Sequence, residues 1–170
     1  MRGSLEGAFR EFAEARTGQL FRSACLLTSG DTHLAEDLVQ ETLGRMYVAW
    51  GRSAVRLGNP AAYAQTVLVR AFLAHQRRRS AGERPSDSLP EAAVAGAGDA
   101  SLRLTLLDAL RQLPPKDRAV VVLRYWEDRS IEETADVLHL SSSAVRTRSS
   151  RALARLRAQL GGNIGEFAAY

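Results

Sequence analysis

The sequence predicts an all-α protein: two small helical domains joined by a flexible linker, the second containing a helix-turn-helix. Three observations predict it. Apolar residues recur three or four apart through most of the 170 residues, and no sustained alternation favours strands. Segment 80–100 breaks that period with two prolines and three glycines, the composition of a tether. Beyond it, Ser130 with Glu133 three residues later, then a second serine-led helix, gives two capped helices separated by a short turn. The domains are therefore read as 1–79 and 101–160, with a linker over 80–100 and a tail over 161–170.

The elements follow in order. Leu5, Ala8, Phe9, Phe12, Ala13, Leu20, Ala24 and Leu27 form the apolar side of a first helix. Thr28-Ser29-Gly30-Asp31 is a turn, and Asp31 or Thr32 can cap the next helix. That helix carries Leu34, Ala35, Leu38, Val39, Leu43, Met46, Tyr47 and Trp50 inward and stops near Gly51. Residues 51–59 read as a glycine-containing loop. Pro60 opens a third helix to about Arg79, burying Tyr63, Val67, Leu68, Ala71 and Phe72. Past the linker, Leu102, Leu106, Leu107, Ala109, Leu110 and Leu113 form a helix that Pro114-Pro115 ends. Another runs through Ala119, Val120, Val122, Leu123 and Trp126, and the helix-turn-helix follows.

Composition excludes several classes. Hydrophobic residues at 45% and charged residues at 25% suit a folded domain rather than a disordered chain. No apolar run reaches the about 18 residues of a membrane span, so no membrane insertion is expected. The N-terminal residues lack a signal-peptide core, which points to the cytoplasm. A single cysteine, Cys25, cannot form an internal disulfide or a multi-cysteine metal site, and His33, His75 and His139 have no ligand spacing. No metal and no cofactor are expected. A glycine-rich phosphate loop and an ordered Ser-His-Asp set are both missing, so the chain does not read as an enzyme.

The net charge of +4 matters less than its distribution. Arg70, Arg77, Arg78 and Arg79 give 60–79 four positive charges and no acid, and Arg146, Arg148, Arg151, Arg155 and Arg157 give 142–160 five. Segments 80–100 and 130–141 are each net −3. Two basic helices suggest a polyanion met at two places. Within the helix-turn-helix, Ala135 suits a close helix crossing, Leu138 and Leu140 bracket the turn, and His139 occupies a position that takes a left-handed backbone. Ser141 or Ser142 caps the second helix. Val145, Ser149 and Leu153 define its inward side, leaving Arg146, Thr147, Ser150 and Arg151 outward, where arginine can grip guanine or a phosphate.

On these residues the chain resembles the sigma factors of bacterial RNA polymerase, of the extracytoplasmic-function (ECF) type within the sigma-70 family. The stretch Leu113-Pro114-Pro115-Lys116-Asp117-Arg118, followed by Val121, Leu123, Arg124 and Tyr125, resembles their region four. Gly30-Asp31, then Ala35-Glu36-Asp37-Leu38-Val39-Gln40-Glu41-Thr42, Pro60-Ala61-Ala62-Tyr63 and Arg77-Arg78-Arg79, resemble region two. The resemblance implies a promoter-specificity subunit that binds core polymerase, reads a −35 duplex and opens the −10 element. It implies −35 contacts by Ser142, Ser143, Arg146, Thr147, Ser150 and Arg151. It implies −10 contacts by Asn59, Tyr63, Arg70, His75, Arg77, Arg78 and Arg79. Asp37, Gln40 and Glu41 would meet the clamp helices of the largest polymerase subunit, and the flap of the second-largest subunit would be a further contact. An anti-sigma factor is an optional partner. Two positions depart from the family pattern: Arg70 stands where Asn is common, and Ala74 where an acid is frequent. The rival reading is a self-sufficient helix-turn-helix repressor or activator that binds a palindrome alone.

Overall fold

Helices α2, α4, α7 and α8 begin where a side chain accepts from a backbone N–H that lacks an intrahelical partner, and these starts set the frame. The computed structural model describes residues 2–82 and 99–161. The linker and tail fall mostly outside them; residues 80–82 finish one helix, Asp99 opens the next, and Gly161 closes the last. Helix α1 spans Arg2–Leu27. The turn after it uses Ser29 and Gly30 at positive φ, and Asp31 then caps α2, Thr32–Ala49, by accepting from Leu34 N at 3.1 Å. Residues 53–57, expected as loop, form a short helix α3, Ser53–Leu57. Five residues carry too little apolar period to be read in advance. Helix α4, Pro60–Gly82, starts as expected at Pro60 but is capped by Asn59, whose Oδ1 accepts from Ala62 N at 3.0 Å.

The second unit comprises α5, Asp99–Arg111, and α6, Pro115–Val121, then α7, Ile131–Leu138, and α8, Ser142–Leu160. Between α6 and α7 the expected continuous helix widens into a π-helical turn over Val122–Trp126, where Glu127 N reaches back five residues to Val122 O at 3.0 Å. The capping box at Ser130 and Glu133 is present in both directions, and His139 ends α7 at φ 54, ψ 46. Ser141 caps α8 by accepting from Ala144 N at 3.1 Å. No strand occurs among the described residues, and none of their helices is long and apolar enough to cross a membrane.

Packing joins the two units. Leu20, Ala24 and Leu27 of α1, Leu38 and Met46 of α2, and Leu68 and Phe72 of α4 form a core that continues into Val120, Leu123, Ala135, Leu138 and Val145. A second cluster, with Leu106, Leu110, Leu113, Val121, Ala152 and Leu156, holds α5 and α6 on α8. Phe9, Phe12 and Trp50 stack the start of α1 on the end of α2, with ring centroids 5.0–5.4 Å apart for the pairs that include Trp50. Two residues expected inward are not: Tyr47 and Tyr63 are exposed. Tyr47 lies edge-on to Phe9 with its far side open. Leu153 is only partly covered, and Ala152 and Leu156 take the buried stripe of α8 in its place.

The seam between the units is polar as well as apolar. The Arg118 guanidinium, at the base of α6, donates to Leu27 O at 2.7 Å, while Arg111 reaches Ser29 O at 3.4 Å. Arg70 donates from α4 to Val137 O at 3.1 Å and Asp136 O at 3.3 Å, and Arg129 donates to Ala62 O at 2.8 Å. The Ser23 hydroxyl donates to the half-buried Glu127 carboxylate.

Candidate nucleic-acid interface

Helix α8 presents the first candidate surface. Val145, Ser149, Ala152 and Leu156 are buried, which turns Ser143, Arg146, Thr147, Ser150 and Arg151 outward, with Ser142 half-covered at the N-terminal turn. Thr147 Oγ1 donates to Ser143 O at 3.1 Å, so its hydroxyl is held along the helix. Arg146 and Arg151 differ. Arg151 Nη2 is 3.2 Å from Oδ2 of Asp117, and Arg148 Nη1 is 2.6 Å from Oδ1. Asp117 is wholly buried, so these pairs form the inner wall of the basic face. The pairing of Asp117 with Arg148 and Arg151 is not read from the sequence, because residues 31 and 34 apart in the chain share no period.

The second surface lies where the end of α2 meets the start of α4. A groove of about 450 Å³ is lined by Glu41, Gly44, Arg45, Val48, Ala49, Arg52 and Tyr63. Tyr63 is 38% exposed and Val48 78%, so an aromatic face and an apolar patch both open to solvent beside Arg52. This groove brings together Glu41 and Tyr63, two residues expected to serve different partners. Glu41 is paired with Arg45 at 2.7 Å, a half-exposed pair worth about 0.3–0.5 kcal/mol. Asp37 and Gln40 are exposed on the same helix. Val48, Arg45 and Arg52 escaped notice in the sequence, although the four-residue spacing of Gly44 and Val48 puts those two on one face of α2. Arg52 lies beyond the end of that helix, in extended backbone before α3.

The other expected residues do not converge on that groove. Asn59 caps α4 and lines a different recess, with Gln65, Glu127, Arg129 and Glu133, at the seam. Arg70 is exposed at its edge but spends its guanidinium on the carbonyls of α7. His75 is half-buried, and Arg77 and Arg78 are exposed near the far end of α4, with Arg79 partly covered. Among the described residues no three His, Cys, Asp or Glu side chains are placed to hold a metal ion.

Comparison with known proteins resolves the family. The model of Sigma-70 region 2 matches residues 15–82, and that of Sigma-70 region 4 matches residues 103–156. The chain belongs to the sigma-70 family of RNA polymerase sigma factors. Region 2 thus covers the second half of α1 through α4, and region 4 covers most of α5 through most of α8. The RNA polymerase sigma-E factor of Streptomyces avermitilis is 40% identical over 154 residues, spanning 89% of this chain and 84% of that protein. The ECF RNA polymerase sigma factor SigL of Mycobacterium tuberculosis is 34% identical over 160 residues, spanning 89% and 88%. Among solved structures, the sigma factor RpoE of Bartonella quintana, crystallised with the anti-sigma factor NepR, shares the fold with a TM-score of 0.68 at 24% identity, over 90% of this chain and 96% of that one.

Proposed function

We propose that this sigma-70 family chain binds core RNA polymerase in the cytoplasm and directs it to promoters, with region 4 reading the −35 duplex and region 2 capturing the melted −10 strand. The chain supplies specificity, and bond formation belongs to the polymerase. One observation carries the reading: α8 buries Val145, Ser149 and Ala152 while its N-terminal half turns Arg146, Thr147 and Ser150 to solvent, the presentation a recognition helix needs in a major groove. In region 2, the groove beside Tyr63 suits one unpaired base stacked on the ring. His75, Arg77, Arg78 and Arg79 take phosphates beyond it. Asp37, Gln40 and Glu41 meet the polymerase clamp helices, and region 4 meets the flap. The family resemblance adds an anti-sigma factor as a third partner. Arg70 is engaged by α7, so its share in −10 binding requires the seam to part on promoter engagement.

The test is reconstituted run-off transcription. With core polymerase, the chain should start transcription at one site on a promoter carrying both elements, whereas the free chain should bind the same duplex weakly because each unit offers a small footprint. Arg146→Ala should narrow the advantage of the native −35 element over single-base variants by about 1–3 kcal/mol in apparent free energy. Tight binding of a palindrome without polymerase would favour the repressor reading instead.

A further inference from the structure

Arg151 stands on the exposed face of α8, yet its position is set from another helix. Asp117, in the first turn of α6, has a side chain with no solvent exposure. Its Oδ1 accepts from Arg148 Nη1 at 2.6 Å and, more distantly, from Arg151 Nη2 at 3.4 Å; its Oδ2 accepts from Arg151 Nη2 at 3.2 Å. A carboxylate removed from water must be neutralised by its neighbours. Arg148, whose side chain is only 29% exposed, would suffice for that. The second oxygen nevertheless goes to Arg151, which remains 48% exposed on the side where DNA would lie.

Two physical consequences follow. Arg148 and Arg151 are three residues apart on one helix, where like charges repel, and a shared carboxylate removes that penalty. A free arginine on a helix surface samples many rotamers and must lose them on binding, whereas a guanidinium already pinned at Nη2 has lost most of that freedom in advance. The Asp117 pair uses Nη2 alone, so the N–H groups on Nε and Nη1 stay available for a base edge. We infer that Asp117 is a positioning residue for sequence readout by Arg151, tethering its guanidinium at Nη2 on the groove-facing side of α8. This rests on the reading of α8 as the −35 recognition helix.

The experiment is run-off transcription from a set of −35 point variants at saturating core polymerase, with the wild type, Arg151→Ala, Asp117→Asn and the double variant. Arg151→Ala should flatten the preference at one base-pair position by about tenfold. Asp117→Asn should flatten most of the preference at that same position and at no other, and the double variant should be no worse than Arg151→Ala alone. Preference retained in Asp117→Asn but lost in Arg151→Ala overturns the inference while leaving the −35 reading intact. A uniform loss across all variants overturns it too, since a purely structural role would act that way. A profile unmoved by Arg151→Ala removes Arg151 from base reading and the inference with it; if Arg146→Ala still moves the profile, the reading of α8 survives. Should Asp117→Asn fail to fold, Arg148→Met answers the same question. It leaves Asp117 with Arg151 as partner, so the Arg151-dependent preference should persist at reduced thermal stability, and its disappearance would show that helix packing sets the readout.

Discussion

Replacing Arg118 by methionine keeps most of the side-chain volume and removes a buried charge. Arg118 as a whole is only 8% exposed. It donates to Leu27 O at 2.7 Å, Leu110 O at 2.9 Å and Leu113 O at 3.1 Å, tying the C-terminal ends of α1 and α5 to α6. Burial, helped by the nearby Arg111 charge, lowers its pKa to about 10. A base whose pKa falls on folding pays for its charge, here about 3 kcal/mol at neutral pH. Against that stand three hydrogen bonds from a cation, each contributing about 1.5–3 kcal/mol, made to helix-end carbonyls whose dipoles favour positive charge. Methionine recovers the burial cost but leaves those carbonyls dry, so Arg118→Met should lose about 2–4 kcal/mol. Urea unfolding of the full chain at pH 7, followed by far-ultraviolet circular dichroism, measures it. A change below about 0.5 kcal/mol, or a gain, would refute the reasoning by showing that desolvation cancels the bonds.

Three further outcomes are expected. His139→Gly should raise stability by about 0.5–1 kcal/mol, because φ 54 is free for glycine and costs a β-carbon; a lower melting temperature would contradict it. Burial raises the Glu127 carboxyl above its ordinary value of 4.5, against the pull of the Ser23 hydroxyl and the Arg129 charge. A raised carboxyl binds its proton better folded than unfolded, so its contribution is fully present below the ordinary value and is lost as pH rises through the folded pKa. Glu127→Gln should therefore melt above the wild type at pH 7 and close to it at pH 4, and an equal offset at both would sink the argument. Tyr63→Ala should leave melting almost unchanged yet weaken promoter opening, monitored by permanganate reactivity of −10 thymines, by about 1–3 kcal/mol of lost stacking. Unchanged reactivity would remove Tyr63 from the −10 site.

Legibility in the sequence tracked the range of the interactions involved. Helix starts depend on close neighbours in the chain, so the starts at Pro60 and at the Ser130–Glu133 box were readable in the sequence, while Asp31 against Thr32 and Ser141 against Ser142 were decided by the structure in favour of Asp31 and Ser141. The left-handed backbone at His139 was readable too, because a helix-turn-helix needs such a residue at that place. The π-helical turn was not, since one extra residue in a turn leaves the apolar pattern of Val122 and Leu123 nearly intact. Tyr63 reads as core by period and is exposed, because α4 begins at the rim of the unit where its first turn has little to pack against. Asn59 and Arg70 were read for DNA from family position, but capping and a carbonyl pair 66 and 67 residues away decide where their side chains lie. Arg151 was placed on the correct face, while its partner Asp117, 34 residues earlier, could come only from the folded arrangement.

The bonds that close the seam are asymmetric in a way that bears on mutation. Arg70, Arg111, Arg118 and Arg129 all donate to main-chain carbonyls, which every amino acid carries. Drift at Leu27, Ser29, Ala62, Asp136 or Val137 therefore leaves the acceptors standing, and only a change that moves the backbone removes them. Among these arginine bonds the vulnerability is concentrated in four codons on the donor side, and the Ser23–Glu127 pair is the side-chain exception. A genetic search for second-site changes that restore one of these four donors has no complementary side chain to alter, so charge-swap rescue of a lost seam arginine has nothing to act on.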